Sequence, residues 1–260
     1  MTSAGAPVSI RRLLKNKVSL GGLLLLTVVF ISAIFAPIIS PYDPLKHSIV
    51  NRFAKPSLQH FGGTDRYGRD VFSRSIWGAR TSLSIGFLST ILGAVFGTVL
   101  GLIAGYNKGK VSTVIVWLTD VFMSFPTMVL AIIVVVAFGA GTENVIIAIG
   151  AAFIPRFIRL ARASTLSVAE QVYIEASRAL GQSDWVIVSK HILPNIAGEI
   201  IVMSTLWIAT SIRLEASLSF LGLGTQPPTP SWGMMVKDGM DFFMGLPWLS
   251  LIPGLGIFFA

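Results

Sequence analysis

The chain has 260 residues, 53% of them hydrophobic and 12% charged. A soluble domain carries about 25% charge, so a disordered chain, a collagen-like chain and an ordinary soluble enzyme are excluded, and an integral membrane protein remains. The formal net charge of +8 comes without a basic run interleaved with aromatics, so it marks the flanks of membrane spans rather than a nucleic-acid surface.

At ~20 residues per crossing the length holds about eight crossings at most, with no room for an added catalytic domain. Residues 1–17 are polar, with Arg11, Arg12, Lys15 and Lys17, and are expected in the cytoplasm. Residues 18–39 are uncharged and long enough to span, with Pro37 and Pro41 expected to end the helix. The stretch exceeds the apolar core of a cleavable signal. Residues 40–80 read as an external loop, in which Thr64 or Asp65 is expected to cap a short interfacial helix bearing Tyr67, Val71 and Trp77.

The core of the protein is expected over 81–260. Thr81–Asn107 is uncharged and carries Gly93, Gly97, Gly101 and Gly105 at intervals of four, a stripe on which another helix can pack closely. A third span is expected from Val111 to Phe138 around Asp120 and Pro126. A short fourth follows over Asn144–Pro155, with Arg156 and Arg159 reaching the inner side. The fifth runs from Glu199 to Ser211 and the sixth from Phe242 to Ala260. Six crossings place both termini inside. Eleven of the 20 basic residues then fall inside and nine outside, so orientation rests on the N-terminal cluster. The fold class is all-α, a polytopic membrane helix bundle.

The loop 156–198 carries the most informative pattern. Glu175, Ala176 and Ser177 are followed by Gly181 and then by His191, Leu193 and Pro194. A helix is expected over Leu166–Leu180, ended by Gly181 in the left-handed conformation. Ser183 or Asp184 caps a second helix, which Pro194 stops. Val168, Val172, Ala176 and Ala179 fall at helical spacing and form a small-residue face that can dock into a groove on a soluble partner.

The spacing Glu-Ala-Ser-x3-Gly-x11-Leu-Pro resembles the Glu-Ala-Ala loop of permease subunits of bacterial ATP-binding-cassette importers of the type I fold. Ser177 stands for the second alanine and His191 for the usual isoleucine. Gly63-Thr64-Asp65, Gly68-Arg69-Asp70-Val71 and Leu218-Ser219-Phe220-Leu221-Gly222-Leu223-Gly224 are similar to the peptide/nickel branch. Pro41-Tyr42-Asp43-Pro44 after an extra first span looks like the second permease of di/oligopeptide importers. The resemblance implies six transmembrane helices and a bacterial inner-membrane location. It implies a heterodimer with a homologous second permease, two cytoplasmic ATPases, an extracytoplasmic solute-binding protein, and contact with membrane lipid. Glu175, Ala176, Ser177, Gly181, His191, Leu193 and Pro194 would couple to the ATPases, which use ATP and magnesium. Such permeases usually continue into a cytoplasmic tail, so the protein is expected to extend beyond Ala260. Nickel or another chelate is the alternative solute.

No Gly-x4-Gly-Lys-Ser/Thr loop, Gly-x-Ser-x-Gly or metal-ligand cluster occurs in the sequence. The chain is therefore read as no enzyme, with no catalytic, cofactor-binding or metal residue. A membrane anchor that docks a cytoplasmic complex without moving solute is the reading from another class. Asp120 in its span is a candidate for the gate or pathway, set against simple pairing with a neighbouring helix. Arg213 and Glu215 are candidates too, set against an ion pair between themselves or across subunits. His191 is expected to pack or hydrogen-bond within the loop.

Overall fold

The computed structural model describes residues 17–260, and the cytoplasmic reading of residues 1–16 lies outside them. The helices in chain order are α1 (Lys17–Ile34), α2 (Ala36–Ile39), α3 (Val71–Tyr106), α4 (Lys110–Met123), α5 (Thr127–Phe138), α6 (Thr142–Ala169), α7 (Val172–Ala179), α8 (Asp184–Phe220), α9 (Trp232–Met240) and α10 (Trp248–Phe259). Helices α3, α6 and α8 are long and apolar enough to cross a membrane. Helices α4 and α5 pass that test together as a pair bent by 94°. The expected first and sixth spans coincide with the shorter apolar helices Leu20–Ile34 and Trp248–Phe259.

The chain divides into two compact units, residues up to 81 with 230–260, and residues 82–229. In the first, Asp65 organises the loop before α3. Its carboxylate accepts hydrogen bonds from the backbone N–H of Tyr67 and of Arg69. It also pairs with Arg69 Nε at 2.7 Å and with buried Arg74 at 3.6 Å. Asp70 Oδ2 accepts from Ser73 N at 2.7 Å and so caps α3. The expected interfacial helix is absent, and the loop ends at residue 70 rather than 80. Gly68, at φ +72°, turns the backbone there, and a Cβ on it would strike the Ser48 carbonyl. The expected loop residues 71–80 are the first turns of α3.

Helix α9 also lies where only a proline-rich loop was expected. Ser231 caps it by accepting from Met234 N, and Trp232, Met235 and Gly239 are buried. Trp232 Nε1 donates to Ser75 O at 2.9 Å. Val71, Met235 and Leu249 form the small core of this unit. The break after Ile34 precedes Pro37, which falls in the first turn of α2 rather than ending a helix at Ile39.

The second unit is built on the glycine stripe. Added Cβ atoms would meet Phe153 Cβ from Gly93 at 2.8 Å, Ala161 Cβ from Gly101 at 2.6 Å and Thr165 Cβ from Gly105 at 2.7 Å, with Phe157 opposite Gly97. Both series advance together by four, so α3 and α6 run parallel with their backbones nearly touching. Helix α8 runs antiparallel to α3: Ser82 faces Glu215, Gly86 faces Ile212, and Ser89 Oγ lies 2.7 Å from Ser211 Oγ. Ile85, Val145, Ile149, Phe153, Phe157 and Leu218 close the apolar centre.

Two proline expectations need correction here. The third span is no single helix, because Pro126 cannot continue α4 and instead precedes the first residue of α5. Pro194 does not stop its helix. A π-helical turn over Ile187–Ile192 precedes it, and the chain carries on to Phe220. The fourth and fifth spans extend well past their uncharged runs, over Thr142–Ala169 and Asp184–Phe220.

Candidate functional site

The segment Glu175–Pro194 folds as a tight hairpin against the end of α3. Its first helix is α7, separated from α6 by a break at Glu170–Gln171, so the continuous helix expected over Leu166–Leu180 is not formed. Gly181 adopts φ +76°, with Gly181 N bonded to Arg178 O and Gln182 N to Ser177 O. This crossed pair is a Schellman termination, and a side chain at Gly181 would strain it. Inside the hairpin, Ile174 is fully buried with Ile187, Ile192, Ile196, Leu102 and Ala161.

Polar contacts fix the hairpin in place. Tyr106 Oη, at the end of α3, donates to Asp184 Oδ1 at 2.6 Å, and Arg178 lies over the Tyr106 ring at 5.1 Å. His191 Nε2 meets Gln182 Oε1 at 3.1 Å. Asn195 Nδ2 donates to His191 O and to Tyr173 Oη. Glu175, Ala176, Gly181, Leu193 and Pro194 are exposed, His191 is half-buried, and Ser177 is buried with its hydroxyl bonded to Tyr173 O. Of the predicted small-residue face, Val172, Ala176 and Ala179 are exposed. Leu180 at 82% and Trp185 at 78% exposure extend this apolar rim. Sequence reading missed both, and missed Tyr106. A tryptophan just after a helix cap is the signal that marks the rim.

The membrane candidates lie apart from the hairpin. Asp120 pairs with Arg159 Nη2 at 2.8 Å, both more than half exposed. Arg213 and Glu215 were expected to pair with each other or across subunits, and residues two apart on a helix face different sides. Arg213 donates to Thr210 Oγ1. Glu215 is fully buried and accepts from Ser82 Oγ at 3.2 Å and Ser219 Oγ at 2.7 Å.

Residues 97–260 match the model of the binding-protein-dependent transport system inner membrane component. Residues 8–56 match the N-terminal transmembrane domain of oligopeptide transport permease C. The chain belongs to this permease family. It is 40% identical over 247 residues to the dipeptide transport system permease protein DppC of Alkalihalophilus pseudofirmus, covering 95% of this chain and 81% of that protein. It is 43% identical over 249 residues to the glutathione transport system permease protein GsiD of Escherichia coli, covering 95% and 82%. A solved structure of the MetNI methionine ABC transporter in inward-facing conformations shares the fold, with TM-score 0.59 and 20% identity over 70% of this chain and 87% of that one. The permease is thus an all-α, multi-pass inner-membrane protein, and members of its family are transport subunits rather than catalysts.

Proposed function

We propose that this permease moves di- or oligopeptides inward as one half of a heterodimer with a homologous second permease. An extracytoplasmic binding protein delivers the peptide, and two cytoplasmic ATPases drive the cycle with ATP and magnesium. The dipeptide and glutathione permeases among its relatives support a peptide as solute. In this reading the N-terminus and the hairpin around α7 and Gly181 are cytoplasmic, the loop before α3 is extracytoplasmic, and apolar helix faces meet lipid.

The observation that carries the coupling role is the exposed rim of Val172, Ala176, Ala179, Leu180 and Trp185 on a hairpin locked by the Schellman turn and by Tyr106. A rigid mount with an open apolar face suits insertion into a cleft of an ATPase. Glu175 supplies charge at the rim, Gly181 shapes the turn, and Ser177 and His191 hold the hairpin from within. Leu193 and Pro194 present the base of α8. ATP shifts the bundle between inward and outward openings because the closed ATPases bind one position of the hairpins better than the other. Asp120 remains a pathway candidate as half of an exposed ion pair, with Arg213 toward the outer end. Glu215 clamps α8 to α3.

The test is reconstitution with the partner subunits. Glu175→Lys and Gly181→Pro should leave the permease inserted but abolish ATPase co-purification and peptide uptake. Normal co-purification and uptake in both variants would overturn the coupling assignment. Docking without any solute flux in the wild type would instead support a membrane anchor.

A further inference from the structure

Arg156 stands in the middle of the membrane-spanning helix α6. By helical rise it lies about 21 Å from the Thr142 end and about 20 Å from the Ala169 end. A guanidinium at such depth is costly without a partner. Among the described residues Arg156 makes no ion pair. Asp120 is paired with Arg159, and Glu199 accepts a hydrogen bond from Ser164. Arg156 does not stretch toward either end of its helix. Its Nη2 donates to Thr127 Oγ1 at 2.8 Å, and its guanidinium carbon lies 4.9 Å over the Trp207 ring.

The surroundings repeat the same sign. Trp207 Nε1 is a buried donor with no hydrogen-bond partner among the described residues. Thr127 opens α5, whose preceding residue, Pro126, gives no side-chain cap, so the positive end of that helix adds to the guanidinium. Three donor groups thus lie in one neighbourhood, and the adjoining carboxylate, Asp120, is taken up by Arg159. The adjoining Asp120–Arg159 pair, 58% and 59% exposed, would be costly against lipid tails, which argues for water or polar protein at this face.

We propose that Arg156, with Trp207 Nε1–H and Thr127, forms a transit site for the carboxylate of a passing solute. The proposal rests on the peptide-importer reading and names the group that the pathway recognises. The guanidinium is held by one hydrogen bond and by stacking, which leaves its other N–H groups for a carboxylate. Occupation is brief because the neighbouring arginine, Arg159, is paired with Asp120 and adds no second free guanidinium.

The test uses the complete importer in proteoliposomes, with the same peptide supplied as free acid and as C-terminal amide, chosen so that the binding protein holds both. Arg156→Gln should lower the acid-to-amide uptake ratio roughly tenfold, the size of a lost charge-assisted contact. Trp207→Phe keeps the stacking ring and removes the N–H, and should lower the ratio about threefold. Equal loss for acid and amide would assign the guanidinium to packing or to lipid phosphate and overturn the proposal. An unchanged ratio in both variants overturns it as well. A wild-type importer that moves neither peptide defeats the peptide reading and this site with it.

Discussion

Replacing Gly97 and Gly101 together by alanine tests whether the glycine stripe is a packing surface. The new Cβ atoms would lie 2.8 Å from the carbonyl oxygens of Ile154 and Ile158, and that of Gly101 would lie 2.6 Å from Ala161 Cβ. Carbon contacts settle at about 3.5–4.0 Å, so α3 and α6 must part by roughly an ångström along several turns. Overpacking costs about 1–3 kcal/mol per site. The alanines return about 1 kcal/mol each in helix propensity. The net loss is about 2 kcal/mol, an apparent Tm lower by roughly 4–8 °C for a protein of this size. Gly198→Ala is the matched control: it lies in α8 with nothing within 4 Å of its added Cβ, and should be neutral or slightly stabilising. The assay is thermal aggregation of detergent-purified protein followed by size-exclusion chromatography. A double variant as stable as Gly198→Ala would refute close helix packing at the stripe.

Three further outcomes follow from the same geometry. Gly181→Ala should destabilise the hairpin by about 1–2 kcal/mol, because its φ of +76° is left-handed, and limited proteolysis should cut at residues 180–184 sooner than in the wild type. Asp70→Ala removes the cap of α3 and the 2.9 Å partner of His60, and should cost about 1–2 kcal/mol in the same thermal assay, with no loss if the cap is idle. The chain has no cysteine, so single cysteines at positions 50 and 178 report sidedness cleanly. An impermeant maleimide should label only position 50 in intact cells, and external labelling at 178 would reverse the proposed orientation.

Some features were legible in the sequence because helical period forces them. Glycines every four residues must share a stripe, and that stripe meets an equally regular series on α6. Gly181 was legible for the same kind of reason, since few residues tolerate its backbone. Helix limits were not legible from uncharged runs. Arg74 lies inside α3 because Asp65 neutralises it in a buried setting, so a charge there does not mark a loop. Pro194 was misread because the π-helical turn ahead of it removes the need for a break. Helix α9 was hidden by the prolines before it, although Ser231 followed by Trp232, Met235 and Gly239 carries a cap and a buried face. A mutual Arg213–Glu215 pair does not suit helical geometry, which turns residues two apart to different sides. Arg156 was read as a residue reaching the inner side, and nothing in the sequence shows its contacts with Thr127 and Trp207.

The uninterrupted course of α8 has a mechanical consequence. From Asp184 to Phe220 it is a single rod of 37 residues, about 55 Å long, with the hairpin fastened at its foot. A tilt of about 10° pivoted at one end would sweep the other through roughly 10 Å, by the geometry of a rod that long. A hinge at Pro194 would have absorbed such a tilt. With the π-helical turn in its place, α8 is built as a lever: a small push at its foot would become a large displacement at its other end.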